Sequence, residues 1–340
     1  MQPEAPDTTG PRRGAGRPLP ARTGLERLIQ DGILALRLIA AVLAYLGVLS
    51  AVAVALFFVG TALLPEARQG PFGLLGLAVA EGAALLTVVL IWRGIDRQSL
   101  AALGLGRQPG RSPPRQWLVG AGVGCVLMGL VVFGWYTLVD GASWSTNPDA
   151  GRAVVALVAG LLGFLIQGPS EEVLFRGYLL EHLRARWGAG WAVGVSAVAF
   201  AALHAANPSF GLLPLLNLLL FGLATGLYKL RIDGGQLWGV FAIHTVWNWL
   251  QQVVFGLPNS GNASTAANTL FSVQPNVAVP DVISGGGFGP EGTLATTLVL
   301  LGLIAAVLRL SGGRRPAAAP QPAATGGAGR RRSARRSASR

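Results

Sequence analysis

Apolar residues run along this chain in blocks long enough to cross a bilayer, and the polar residues are either punctuation between the blocks or isolated side chains inside them. A helix needs about 20 apolar residues to span hydrocarbon, because its backbone must satisfy itself there. Such blocks lie near 38–64, 71–92, 117–139, 153–180, 190–206, 211–229, 236–256 and 294–310, some of them short or interrupted by polar residues. The pattern predicts an all-α, polytopic transmembrane helical bundle of about eight helices.

Loop charge tests that count independently, since cytoplasmic loops collect arginine and lysine. Arg93, Arg97, Arg107, Arg111 and Arg115 mark one side, followed by Arg184 and Arg186, by Lys229 and Arg231, and by both chain ends. The other side carries Glu66 with Arg68, Asp140, Asp149 with Arg152, the uncharged turn Asn207 to Ser209, and a Gly/Ser/Asn-rich stretch at 257–293. Both termini are therefore expected in the cytoplasm.

Composition excludes several classes. The chain has 340 residues, 51% hydrophobic and 12% charged, where soluble domains carry about 25% charged residues. A water-soluble enzyme is ruled out. The 48 glycines and a mean hydropathy of +0.51 suit helices that approach closely in a membrane. Cys125 is the single cysteine, which excludes an intrachain disulfide and a cysteine-based metal cluster. The net charge of +12 is concentrated in the two ends. Residues 1–30 and 311–340 are rich in Arg, Pro, Gly, Ser and Ala and are expected to be disordered cytoplasmic arms flanking a membrane domain over 31–310. Without aromatic interleaving, the arms suit anionic lipid and not nucleic acid. The first apolar block begins too late and runs too long for a cleaved secretory signal. Arginine-rich, lysine-poor usage suggests a GC-rich bacterial genome, hence a bacterial plasma membrane.

Ionisable groups inside membrane helices cost at least a few kcal/mol, so each needs a partner or a task. Here they cluster. The segment GPSEEVLFRG supplies Glu171, Glu172 and Arg176, FAALH supplies Phe200 and His204, and HTVWN supplies His244 and Asn248. Glu172 and Arg176 stand at i and i+4 and can neutralise each other, a structural lock. Glu171 points about 100° away round the helix and is the candidate base. His244 and Asn248, also i and i+4, present an imidazole and a carboxamide about 6 Å apart on one face. Counting about 1.5 Å per residue puts Glu171, His204, His244 and Asn248 at depths that permit one site. Phe200, one turn before His204, is expected to pack on it. His182, among Glu181, Arg184 and Arg186, needs only a solvated role, and Glu81 has no sequence partner that assigns it one.

The ordered set EEVLFR, FAALH and HTVWN resembles the CAAX protease and bacteriocin-processing family of intramembrane endopeptidases, over roughly residues 160–255. The resemblance implies hydrolysis of peptide bonds in membrane-associated substrates. It further implies that Glu171 and His204 hold and activate water and that His244 and Asn248 stabilise the oxyanion. Elementary chemistry agrees, since a carboxylate beside an imidazole can orient and deprotonate water, and an Asn amide with a histidine N–H can supply two oxyanion donors.

Other readings stay open. A zinc-dependent form of the same protease could use two histidines and a glutamate, although the HExxH helix of zinc proteases is absent, and no cofactor is the first expectation. A non-catalytic membrane scaffold or bacteriocin-immunity-type protein would keep the fold without needing all four polar residues. A proton-coupled transporter would predict repeated halves, which the sequence lacks.

Overall fold

The computed structural model describes residues 23–63, 72–108, 110–264 and 268–312. The arms expected at the two ends fall mostly outside the described residues. Helix α1 (Gly24–Leu63) begins earlier than the apolar block does, inside the segment read as an arm. Its start is written locally. The Glu26 N–H donates to the Thr23 hydroxyl at 3.2 Å and the Thr23 N–H donates to the Glu26 carboxylate at 2.9 Å, a reciprocal cap that satisfies two free donors.

The described residues up to Ala40 form one compact unit and those from Ala41 onward another. In the first, Leu25, Leu28, Ile33 and Leu36 are all exposed, as side chains that face lipid should be. The second contains α2 (Phe72–Leu90), α3 (Pro113–Gly129), β1 (Ser143–Thr146), α4 (Ala150–Glu172), α5 (Leu180–Trp187), α6 (Ala189–Leu203), α7 (Leu212–Arg231), α8 (Trp238–Trp249), β2 (Phe271–Gln274), α9 (Asp281–Ser284) and α10 (Leu294–Leu310).

The protein is a helical membrane bundle. Among the described residues six helical runs are long and apolar enough to cross a membrane: Gly24–Gly60, Leu75–Ile95, Pro113–Asp140, Ala150–Trp187, Ala189–Ala206 and Leu212–Arg231. The remaining two apolar blocks fold as α8 and α10, both helical but shorter.

Helix α8 is the centre of the bundle. Every residue from Gly239 to Asn248 is buried, the polar His244, Thr245 and Asn248 included. It packs on α3, α4 and α7. Two glycines allow the approach. Gly120 of α3 lies against the Gly239 backbone, leaving no room for a side chain, and a Cβ on Gly168 of α4 would stand 3.1 Å from the Thr245 nitrogen of α8.

The described parts of the stretch 257–293 form a cap. β2 pairs antiparallel with β1, with Trp144 opposite Val273. The Trp135 indole donates to the Ile283 carbonyl at 2.9 Å and the Tyr136 hydroxyl to that of Ser284 at 2.9 Å. The Asp140 carboxylate accepts the Asn276 N–H at 2.9 and 3.0 Å.

Two features of the charge pattern change on folding. Lys229, counted as a loop cation, is fully buried, and Glu181 and Arg184, the neighbours of His182 in sequence, are buried as well. Lys229 Nζ contacts the Glu181 carboxylate, which also takes two hydrogen bonds from Arg184, at 3.0 and 2.6 Å. A buried charge persists only when paired in this way. His182 lies between the rings of Trp92 and Tyr178, with Nε2 3.5 Å from Asp96.

Candidate active site

Helix α4 is distorted where its polar residues lie. Pro169 provides no N–H to the helix, and a wide turn with i to i+5 spacing, Val173–Leu179, follows directly on Glu172. Such a turn frees carbonyl oxygens, and neighbouring helices fill two of them. Ser196 Oγ of α6 donates to the Phe175 carbonyl at 2.8 Å, and Lys229 Nζ of α7 donates to that of Arg176 at 2.6 Å. The Thr245 hydroxyl of α8 donates to the Phe164 carbonyl, one turn before Pro169, at 3.1 Å.

Glu172 and Arg176 pair as their spacing predicts, at 3.2 Å and with both side chains fully buried. The pair does more than lock the helix. Glu172 Oε1 also lies 2.9 Å from Nδ1 of His244, so this carboxylate holds the imidazole as well as the guanidinium. The Arg176 guanidinium sits over the Phe200 ring, 4.3 Å from its centroid, where cation and ring face attract.

Glu171 turns the other way and, among the described residues, forms no close ion pair with a lysine or arginine. Its Oε1 accepts from Gln167 Nε2 at 2.5 Å, while Oε2 accepts no hydrogen bond among the described residues and lies 3.8 Å from His244 Nε2. Gln167 Oε1 accepts in turn from Asn248 Nδ2 at 2.9 Å. Gln167 thus joins the two ends of the site. It was not singled out in the sequence, although a polar residue one turn before Glu171 in an apolar run was the available signal.

His204 closes α6. Its Nδ1 lies 2.9 Å from the Phe200 carbonyl. A carbonyl only accepts, so Nδ1 carries the proton and Nε2 of the neutral ring is left as an acceptor. The Phe200 ring packs on His204 as expected, with centroids 4.7 Å apart. Among the described residues no hydrogen bond or ion pair links His204 directly to Glu171; what they share is a cavity.

That cavity, of about 420 Å³, is lined by Glu171, His204, His244 and Asn248 together with Gln167, Phe200 and Glu81. Glu81 has found partners on distant segments. The Tyr45 hydroxyl donates to its carboxylate at 2.5 Å and lies 3.1 Å from Ser170 Oγ. The 257–293 cap supplies Asn259, Ser260, Asn262 and Glu291 to the wall. Glu291 is held by Gln251 Nε2 at 2.6 Å and by Ser260. It lies outside the spanning segments, and burial pushes its carboxyl up to about 7, against the pull of those hydrogen bonds.

Zinc would require three protein donors converging on one point. Among the described residues no three His, Cys, Asp or Glu side chains gather in that way.

Buried carboxylates, imidazoles and carboxamides around a cavity between helices define the class: an integral membrane protein with a polar site inside its bundle. Residues 153–250 match the family model described as type II CAAX prenyl endopeptidase Rce1-like. All seven polar-site positions from Glu171 to Asn248 fall inside that stretch, which is therefore Rce1-like, as the ordered motifs suggest. The chain is also similar to an uncharacterized 24.3 kDa protein of Escherichia coli, 31% identical over 121 residues. That match covers 35% of this chain and 54% of the other, so the chain spans about half the length of this curated relative.

Proposed function

We propose that the protein is an intramembrane endopeptidase that hydrolyses peptide bonds of membrane-associated proteins or peptides, without a metal. The observation that carries this reading is that Glu171, His204, His244 and Asn248, from three separate helices, line one cavity. The Rce1-like match over the same residues supports it.

In the proposed reaction, water lodges beside Glu171 Oε2 and His204 Nε2. As its oxygen bonds to the scissile carbonyl carbon, its proton passes to Glu171. The carbonyl oxygen becomes an oxyanion and accepts from His244 Nε2–H and from the second N–H of Asn248 Nδ2. With Nδ1 on the Glu172 carboxylate, donation from Nε2 requires that both ring nitrogens carry a proton as the oxyanion forms. The carbon–nitrogen bond then breaks, and Glu171 returns the proton to the leaving amine. Glu172, Arg176 and Phe200 act through these groups as positioning residues.

The loop charges support a chain with both termini in the cytoplasm, and the arginine-rich, lysine-poor usage supports a bacterial cell. Lipid is the surrounding partner, and no nucleic acid is involved.

The test is cleavage of a quenched library of membrane-tethered peptides by the purified full chain in detergent, with and without a zinc chelator. Chelator-resistant cleavage, lost in Glu171→Gln and His204→Ala, is expected. Chelator-sensitive cleavage restored by zinc would replace the mechanism with a metal-dependent one. Absence of cleavage by folded protein, with a cellular phenotype that survives Glu171→Gln, would favour a scaffold.

A further inference from the structure

Gln167 is the single polar residue between Leu157 and Gly168, in a stretch of α4 otherwise made of apolar side chains and glycine. A carboxamide in such a run is costly unless its hydrogen bonds are met inside the protein. Here both of its ends are engaged. One turn before Glu171, Gln167 Nε2 donates to Glu171 Oε1 at 2.5 Å, and on the other side Gln167 Oε1 accepts from Asn248 Nδ2 at 2.9 Å. The reach to α8 is possible because its neighbour Gly168 lies against the Thr245 backbone, where a Cβ would stand 3.1 Å from the nitrogen. Gln167, Glu171 and Asn248 all line the cavity.

A single orientation of the two amides satisfies this chain. An ionised carboxylate only accepts, so Gln167 turns its Nε2 to Glu171 and its Oε1 to α8; a carbonyl oxygen also only accepts, so Asn248 meets it with Nδ2. Rotating either amide by 180° would set two acceptors or two donors face to face. The carboxylate of one helix thereby fixes the direction of an amide on another. That direction survives proton transfer, because Glu171 Oε1 still accepts after Oε2 has taken the proton from water. Without the chain, Asn248 is free to turn Oδ1 toward a developing oxyanion, where it repels instead of donating.

We propose that Gln167 is a positioning residue for peptide hydrolysis, which steadies the Glu171 carboxylate and aims the Asn248 amide through one hydrogen-bonded chain, so that base and oxyanion donor are set together. This rests on the endopeptidase reading. The gain is orientation fixed before the substrate arrives. The competing role, fastening α4 to α8, is already served by the Thr245 hydroxyl on the Phe164 carbonyl at 3.1 Å.

The test uses the full-length chain in detergent and one quenched membrane-tethered peptide, with kcat, KM and the thermal unfolding midpoint measured for each variant. Gln167→Met keeps the length of the side chain and removes both hydrogen bonds; kcat is expected to fall by about 10- to 100-fold with KM within about threefold of native. Gln167→Asn, whose amide is one methylene too short to span both partners, is expected to act in the same direction and serves if the methionine variant does not fold. Thr245→Val removes the other α4–α8 hydrogen bond and leaves the chain through Gln167 intact; it is expected to lower the unfolding midpoint with kcat within about threefold of native. In an Asn248→Ala background the effect of the Gln167 variant on kcat should shrink by about threefold or more, because one of its two targets is gone, whereas Thr245→Val should act equally in both backgrounds. A Gln167 variant with kcat within about threefold of native, a loss confined to KM, or equal losses in the two backgrounds would overturn the proposal and leave the peptidase reading standing. A folded native chain that cleaves nothing would overturn both.

Discussion

Nδ1 of His244 lies 2.9 Å from Oε1 of Glu172, the same oxygen that meets Arg176 NH1 at 3.2 Å. One buried carboxylate oxygen therefore serves a guanidinium and an imidazole on different helices, tying the distorted end of α4 to the central helix α8. Removing it should have two separable effects. Glu172→Gln leaves Arg176 buried without a counter-charge and should cost about 3–5 kcal/mol of stability. The double variant Glu172→Gln with Arg176→Met should recover most of that in denaturant unfolding while kcat stays depressed, because His244 has still lost its orienting carboxylate. Full recovery of kcat in the double variant would reduce Glu172 to a packing role.

The proposed division of labour predicts different kinetic signatures. Glu171→Gln should lower kcat by about 10²–10⁴, the usual worth of a positioned general base. Asn248→Ala should lower kcat by about 10²–10³ as an oxyanion donor is lost. KM should move little in either, measured on a single quenched peptide.

The wide turn after Glu172 depends on donors from other helices. Lys229→Met removes the partner of the Arg176 carbonyl and a cation beside Glu181, and a loss of about 3–5 kcal/mol is expected. Ser196→Ala leaves the Phe175 carbonyl unpaired and should cost about 1–3 kcal/mol. Thermal unfolding of the detergent-solubilised variants orders the two.

Stability should fall as pH rises from about 4.5 to about 7. Burial pushes the Glu291 carboxyl to about 7, so the folded protein keeps a proton that the unfolded chain releases near its ordinary 4.5. Asp233, outside the spanning segments, behaves alike: burial raises it from 3.8 to about 7. A group whose folded value is raised favours the folded state at low pH, and that advantage is lost through this window. Glu291→Gln with Asp233→Asn should flatten the slope of unfolding midpoint against pH. An unchanged slope would assign it to other groups.

Gly168 sits between Gln167 and Pro169, with its Cα facing Thr245 of α8. Gly168→Val should push α4 off α8 and lengthen the contacts of His244 with Glu171 and Glu172. Activity should fall by 10-fold or more, because small misplacements of reacting groups are costly. Gly32→Ala, where a Cβ meets nothing within 4 Å, is the neutral comparison.

The sequence by itself determined the membrane class, the helical nature of all eight apolar blocks and the clustering of polar residues in three of them, because those follow from local quantities. Run length against bilayer thickness, i to i+4 spacing and the cost of burying a charge are all readable along the chain. The Glu172–Arg176 pair and the Phe200–His204 contact were legible for the same reason. Tertiary structure alone decided which groups meet across helices. The spacing of EEVLFR does not tell that Glu172 holds His244, since the two are 72 residues apart. Nor does it tell that Gln167 links Glu171 to Asn248, that Tyr45 and Ser170 take up Glu81, or that 257–293 caps the cavity with Glu291. Lys229 shows the limit most plainly. Its place at a helix end reads as a loop charge, and only the packing of α7 against the freed carbonyl of Arg176 and against Glu181 makes it an interior cation. Burial and partner are properties of the assembled bundle, set by which faces the close glycine contacts bring together, and no period along the chain encodes them.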